Sequence, residues 1–337
     1  MRIGFDSHTY EWVEDWARIP DDAAHREGWA HHGIVSTTEN TLIVFHPGKS
    51  SVLVFNQEGG LTGSWPTDLA EGHGLTLCRE EGEERLWVVD NGSKKLKRHG
   101  YENPPGNDQI SGRVVKFSLE GQLLCELQRP LLSVYERTRF SPTAVAVNEE
   151  SYGGNGDVWV ADGYGAYLVH RFDREGHYLS TLSGEEGAGR FDCPHGIVID
   201  RRKSEPELYV ADRSNGRFQV YDLDGSFKRV FGHEFLTTPS AMVTFEDVMV
   251  VAELRARLTL LDVQDRLLGY LGDNEAVSYL DGWPNTVDER GQIVPSDRLK
   301  PGKFNSPHGL GVDYEGNLYV SEWLIGGRYI KLARCPV

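Results

Sequence analysis

Three stretches of this chain are near copies of one another: Glu71-Gly72-His73-Gly74-Leu75, Cys193-Pro194-His195-Gly196-Ile197 and Ser306-Pro307-His308-Gly309-Leu310. Each opens a short apolar run, and a second apolar run ending in an acid follows: Leu86–Asp90, Leu208–Asp212 and Leu318–Glu322. A structural unit repeated at this spacing signals a repeat architecture, and missing it would misassign the whole fold.

The clearest copy runs from Phe191 to Gly232 and contains four strand-like segments, Gly196–Asp200, Leu208–Ala211, Arg217–Asp222 and Phe227–Phe231. The turn Asp222-Leu223-Asp224-Gly225 between the last two is a hairpin signal. The same order recurs from Gly33, Gly74, Ala144 and Ala241, and a last copy from Gly309 has three segments only. A fourth strand for that copy is available at the other terminus, in Tyr10–Trp16. The expectation is an all-β, six-bladed β-propeller spanning 1–337 as one domain, closed by pairing of its N- and C-terminal strands. A β-solenoid is the rival, but its repeats are usually shorter. Two inserts interrupt the pattern, at about 99–111 and 273–304. Loops of that length are lids, binding loops or decoration of the rim.

Composition narrows the partners. A formal charge of −16 argues against nucleic acid or an anionic membrane as the main partner. Cys78, Cys125, Cys193 and Cys335 are widely spaced and form no CxxC pair, so no disulfide framework is expected. No leader-like or membrane-spanning apolar run is visible, so the expectation is a cytoplasmic protein with a small-molecule or short-peptide substrate.

Strands of a blade alternate in direction, so first-strand starts and second-strand ends should look out of one end of a propeller. His73, His195 and His308 fall in the second, fourth and sixth units, an alternating set able to cap one metal ion. Neutral imidazole is a common metal ligand, and three of them leave zinc an open position. A histidine before glycine at a strand start also serves as a plain hydrogen-bond donor to neighbouring backbone. His32 holds the corresponding place in the first unit and fits a fourth ligand, a proton shuttle or a structural group. Tyr164, in Asp162-Gly163-Tyr164-Gly165, fits a general base beside a cation, or a packing residue. Arg213 fits an oxyanion clamp, or an ion-pair partner of Asp212. Asp90, Glu253 and Glu322 fit ligand-orienting groups or a plain feature of the repeat. Cys193 reads as a small buried residue.

On the runs HGLTL…LWVVD, SPTAVAV…VWVADGY, CPHGIVI…LYVADRSNGRFQVY and SPHGLGV…LYVSE, the chain resembles NHL-repeat propellers, and within them the peptidyl-α-hydroxyglycine α-amidating lyases. The resemblance implies a metal-dependent lyase, with zinc or another divalent transition metal on His73, His195 and His308. It implies Tyr164 as base and Arg213 as substrate contact. Two positions depart from the family. Pro47 stands where an arginine helps grip substrate, leaving His46, Lys49 and His32 beside Arg213 as the expected substrate contacts. Gly309 stands where an aspartate helps bind a structural calcium, which speaks against that ion here. A lactonase-like metal-dependent hydrolase and a non-catalytic NHL-type binding propeller are the alternatives.

Overall fold

The computed structural model describes residues 1–95 and 111–336. Five four-stranded antiparallel sheets follow one another. The first is Ile34–Ser36, Leu42–Phe45, Ser51–Phe55 and Leu61–Pro66. The second is Gly72–Glu80, Glu83–Asp90, Arg113–Phe117 and Leu123–Leu127. The third is Ala144–Val147, Val158–Asp162, Leu168–Phe172 and Tyr178–Leu182. The fourth is Pro194–Asp200, Glu207–Asp212, Arg217–Tyr221 and Phe227–Phe231, and the fifth is Pro239–Phe245, Val248–Glu253, Arg257–Leu261 and Leu267–Leu271. The sixth joins Pro307–Val312, Leu318–Glu322 and Arg328–Arg334 to the N-terminal strand His8–Val13, which pairs with Arg328–Arg334. This is the topology of a six-bladed β-propeller, with the terminal strands sharing a sheet as expected. One further strand, Arg2–Phe5, pairs outside His8–Val13 and makes the sixth sheet five-stranded.

The local logic is repeated in each sheet. Second strands such as Val158–Asp162 and Glu207–Asp212 are buried along their whole length. Burial on both faces explains why they read as unbroken apolar runs rather than as alternating ones. Fourth strands such as Tyr178–Leu182 are half exposed. In the third and fourth sheets the hairpin between third and fourth strands closes on an Asp-x-x-Gly turn, Asp173–Gly176 and Asp222–Gly225. In Asp222–Gly225 the Asp222 carboxylate accepts the Asp224 and Ser226 N–H groups, and Gly225 takes φ +91°.

The chain packs as two compact units. One carries sheets one and six, Lys94 and Lys95, and sheet five from Val243 onward; the other carries sheets two to four and residues up to Met242. In the second unit, Trp87, Val89, Val145, Val160 and Phe172 fill one core cluster, and Trp159, Ile197, Val210 and Tyr221 fill another. In the first unit, Trp16, Ile34, Val44, Phe55 and Tyr319 pack together. The insert at 99–111 lies outside the described residues, save Ser111. The insert at 273–304 contains a 3-10 turn, Glu275–Tyr279, and a two-residue ladder, Thr286–Val287 with Ile293–Val294. It is pinned to the sixth sheet and its flanks: Trp283 Nε1 donates to Asn305 O at 2.9 Å, and Asn285 Oδ1 accepts Ile325 N at 3.0 Å. Among the described residues no helix is long and apolar enough to cross a membrane.

The acid that ends each second strand has a structural duty. Asp90 accepts the N–H groups of Ala70, Glu71 and Gly92 at 2.8, 3.0 and 2.8 Å. Asp212 accepts Asp192 N, and Glu322 accepts Asn305 N and Ser306 N. Apart from Gly92, which follows Asp90, those amides lie in or just ahead of the histidine phrases. Asp90 and Glu322, considered as ligand-orienting groups, anchor backbone in this way, and Glu253 bonds Arg257 and Thr259. Arg328 secures the sixth sheet by donating to Glu322 at 3.0 Å and to both Glu14 oxygens at 2.5 and 2.8 Å. Both Arg328 and Glu322 are buried. Removing one partner of such a pair strands the other charge, at a cost of about 3–5 kcal/mol. Arg328→Ala is therefore expected to lower unfolding free energy in urea by about that amount. A loss below roughly 1 kcal/mol would show that the pair does not hold this sheet.

Candidate functional site

In all three histidine phrases the strand ladder skips the imidazole. Against the second strand, Gly72 pairs with Asp90 and Gly74 with Val89; Pro194 pairs with Asp212 and Gly196 with Ala211; Pro307 pairs with Glu322 and Gly309 with Ser321. His73, His195 and His308 are therefore the extra residues of three β-bulges. A bulge bends the strand and re-aims one side chain out of the pleat. The glycine that follows each histidine is required by close approach. A Cβ on Gly74 would collide with the Thr143 carbonyl, one on Gly196 with the Ser240 carbonyl, and one on Gly309 with the His32 carbonyl.

Two of those carbonyls also set the imidazoles. His73 Nδ1 donates to Thr143 O at 2.7 Å, and His195 Nδ1 donates to Ser240 O at 2.8 Å. With Nδ1 protonated, each neutral ring keeps a lone pair on Nε2. Metal-binding histidines are commonly oriented this way, through a second-ring-nitrogen bond to a carbonyl or carboxylate.

The two lone pairs converge. The rings of His73 and His195 stand 4.9 Å apart at 69°. The Tyr164 hydroxyl lies 2.9 Å from His195 Nε2 and 3.3 Å from His73 Nε2. Arg213 Nη1 donates to the same oxygen at 3.3 Å, and its guanidinium lies 5.4 Å from the phenol centroid. Burial pushes the Tyr164 phenol up to about 12, against the opposing pull of Arg213. Two neutral nitrogen donors, a phenol and a guanidinium thus share one point in the second unit. The donor set fits a borderline divalent ion such as zinc. Cys193 turns a left-handed backbone (φ +58°) just before this point. Burial raises its thiol, in keeping with a small buried residue rather than a thiolate ligand.

The first unit holds the other sequence candidates. His308 is buried, and its ring lies 4.6 Å from that of His31, which in turn lies 6.1 Å from Trp323. His31 is the residue that sequence reading passed over. Of the doublet His31-His32, the repeat register selects His32, because it precedes the glycine. His32 is instead fully buried, with Nε2 2.9 Å from the Tyr329 hydroxyl and its ring stacked on Tyr329. The only signal for His31 was the doublet itself. At Gly309 the packing leaves no room for a side chain, so an aspartate could not stand there without backbone movement.

His46 ends the second strand of sheet one, where the other sheets carry an acid. It plays part of the same anchoring role: its Nδ1 accepts the N–H groups of Gly48 and Lys49, each at 3.0 Å. Lys49 is half exposed and pairs with Asp22, the cap of the helix Ala23–Glu27. The cation next to His46 in the interior is Lys94, whose Nζ donates to His46 O at 3.1 Å and lies 5.0 Å from the Phe45 centroid.

No protein-family model matches the chain. Human NHL repeat-containing protein 3 is 26% identical over 83% of this chain and 71% of its own length. A probable peptidyl-α-hydroxyglycine α-amidating lyase of Caenorhabditis elegans is 24% identical over 74% of this chain and 60% of its own length. Among solved structures, a streptogramin B lyase superimposes with a TM-score of 0.58 at 13% identity, covering 96% of this chain and 97% of that one, which speaks to fold alone.

Burial holds His46 down at about 4, so it is neutral when folded at neutral pH and charges readily only when unfolded. The unfolded chain then binds more protons between its ordinary value of about 6.5 and 4, and stability falls as pH falls through that window. His46→Gln is expected to remove up to roughly 2 kcal/mol of the stability lost by the parent between pH 7 and pH 5, read by urea unfolding at both pH values. An unchanged pH dependence would contradict a buried neutral imidazole. The chain is a six-bladed β-propeller whose relatives include NHL repeat-containing protein 3 and an amidating lyase.

Proposed function

We propose that this chain is a metal-dependent lyase acting on a small hydroxylated substrate. The observation that carries this reading is the meeting of the Tyr164 hydroxyl with His73 Nε2, His195 Nε2 and Arg213 Nη1. His73 and His195 are the ligands whose tautomers the backbone already fixes; the resemblance implies His308, from the third copy of the phrase, as a further one. A divalent metal held there supplies Lewis-acid polarisation of a substrate oxygen. As phenolate, a form that burial disfavours and that the charge of Arg213 and of a bound metal would favour, Tyr164 would take the hydroxyl proton of the substrate. Arg213 also orients an anionic or polar group of the substrate. In the case suggested by the relatives, an α-hydroxyglycine loses its hydroxyl proton and its C–N bond breaks. The electron pair leaves with the amide nitrogen, which takes up a proton, and the carbon becomes the aldehyde of glyoxylate.

The purified protein is expected to carry close to one equivalent of a divalent transition metal by elemental analysis. His195→Ala should lose that metal together with turnover of an N-acyl-α-hydroxyglycine. Tyr164→Phe should keep the metal and lose about 10²–10⁴-fold in turnover, the range of a general base. Parent protein that folds without metal would end the lyase assignment and leave a binding propeller.

A further inference from the structure

The first residue of the third strand lies opposite the acid that ends the second, and in four sheets it is arginine. Arg113 stands opposite Asp90, Arg217 opposite Asp212, Arg257 opposite Glu253 and Arg328 opposite Glu322. The last three donate to their acids at 2.7, 2.8 and 3.0 Å. In the third sheet the position opposite Asp162 is Leu168. The sheet that carries Tyr164 is thus the acid-bearing one that departs from the arginine rule.

A chain of neutral donors takes the arginine's place. Tyr135, from the 3-10 turn Ser133–Glu136, donates its hydroxyl to Asp162 Oδ2 at 2.8 Å. His170 Nε2 lies 2.6 Å from the Tyr135 oxygen, and His170 Nδ1 lies 2.8 Å from Thr181 Oγ1, which lies 2.8 Å from the Tyr178 hydroxyl. Because Tyr135 gives its proton to the carboxylate, it accepts from His170 Nε2–H. His170 Nδ1 then accepts from Thr181 and Thr181 from Tyr178, so every donor points inward towards Asp162. Burial keeps His170 neutral, with its value lowered to about 4, as that polarity requires.

Asp162 spends this support on the turn that bears Tyr164. Its Oδ1 accepts Ser141 N and its Oδ2 accepts Ala166 N, both at 2.6 Å, while Ser141 O accepts Tyr164 N at 3.1 Å. Its main-chain oxygen accepts Tyr167 N at 3.1 Å, and a Cβ on Gly165 would collide with the carboxylate. The carboxylate therefore fills the inside of the loop 162–167, and moving it moves the phenol. An arginine at 168 would draw it towards the strand, as Arg217 does to Asp212.

We infer that Tyr135 and His170 are positioning residues for Tyr164, acting through Asp162 to hold the turn that aims the phenol at His73 and His195. The catalytic consequence rests on the function proposed above; the geometric one does not. The test uses the full chain labelled with [ζ-¹³C]tyrosine, the Tyr164 signal being identified by its absence in Tyr164→Phe. In Tyr135→Phe that signal is expected to shift and broaden or split, with turnover of an N-acyl-α-hydroxyglycine down at least tenfold and KM within about twofold. His170→Phe should move the same signal in the same direction by a smaller amount, and serves alone should Tyr135→Phe fail to fold. A Tyr164 signal superimposable on the parent's in the folded variants would overturn the inference. Parent-like turnover in Tyr164→Phe would instead overturn Tyr164 as base, while the NMR shift would still decide whether Tyr135 and His170 position it.

Discussion

The carboxylate at the end of the second strand in sheets two, three, four and six is the contact on which the geometry of the candidate site depends. Asp90, Asp162, Asp212 and Glu322 are buried, and each accepts amide N–H groups from the segment that leads into the first strand of its own sheet. A charged acceptor makes the stronger kind of hydrogen bond, and buried amides left unpaired would be costly. The anchoring fixes the backbone one to three residues ahead of each bulge, so the imidazole leaves the strand from a set height and direction. Arginine pairs with the acid in sheets four, five and six. Beside Tyr164 a neutral tyrosine–histidine chain donates to Asp162 in its place.

Around that anchor, sequence choices that look independent become one device. The histidine needs a bulge to leave the pleat. The glycine after it lets the neighbouring strand's carbonyl come close, and in the second and fourth sheets that carbonyl accepts a hydrogen bond from the imidazole's Nδ1–H. Substituting the glycine would push away the same oxygen that sets the tautomer. His-Gly is therefore a single structural unit at His73 and His195, the glycine admitting the carbonyl that the imidazole meets.

The fold was legible because its signals are short in range and repeated. Apolar runs such as Leu208–Ala211 are buried on both faces, short polar turns such as Asp222–Gly225 punctuate the strands, and the observed strands match the expected ones within a residue or two over most of the chain. The meeting of His73, His195, Tyr164 and Arg213 also followed from strand direction and position in the unit. What escaped were contacts depending on a side chain's exit direction or on residues outside the repeat. His31 lies against His308 while the in-register His32 turns to Tyr329. Lys49, near in sequence to His46, is drawn outward by Asp22, and Lys94 approaches from elsewhere in the chain. Tyr135 belongs to a connecting segment, and its role appears only where the chain brings it to Asp162.

By itself the sequence determined the number of sheets, the strand order, the joining of the two termini and the three histidine positions, because hydrophobic period and turn chemistry are local and each copy reinforces the others. Only the tertiary structure decided which ring nitrogen faces a backbone carbonyl, which acids serve the backbone and which sheet lacks the arginine partner. Those outcomes depend on distances of about 3 Å between groups up to 70 residues apart, such as His73 Nδ1 and Thr143 O. No local pattern in a chain encodes such a distance.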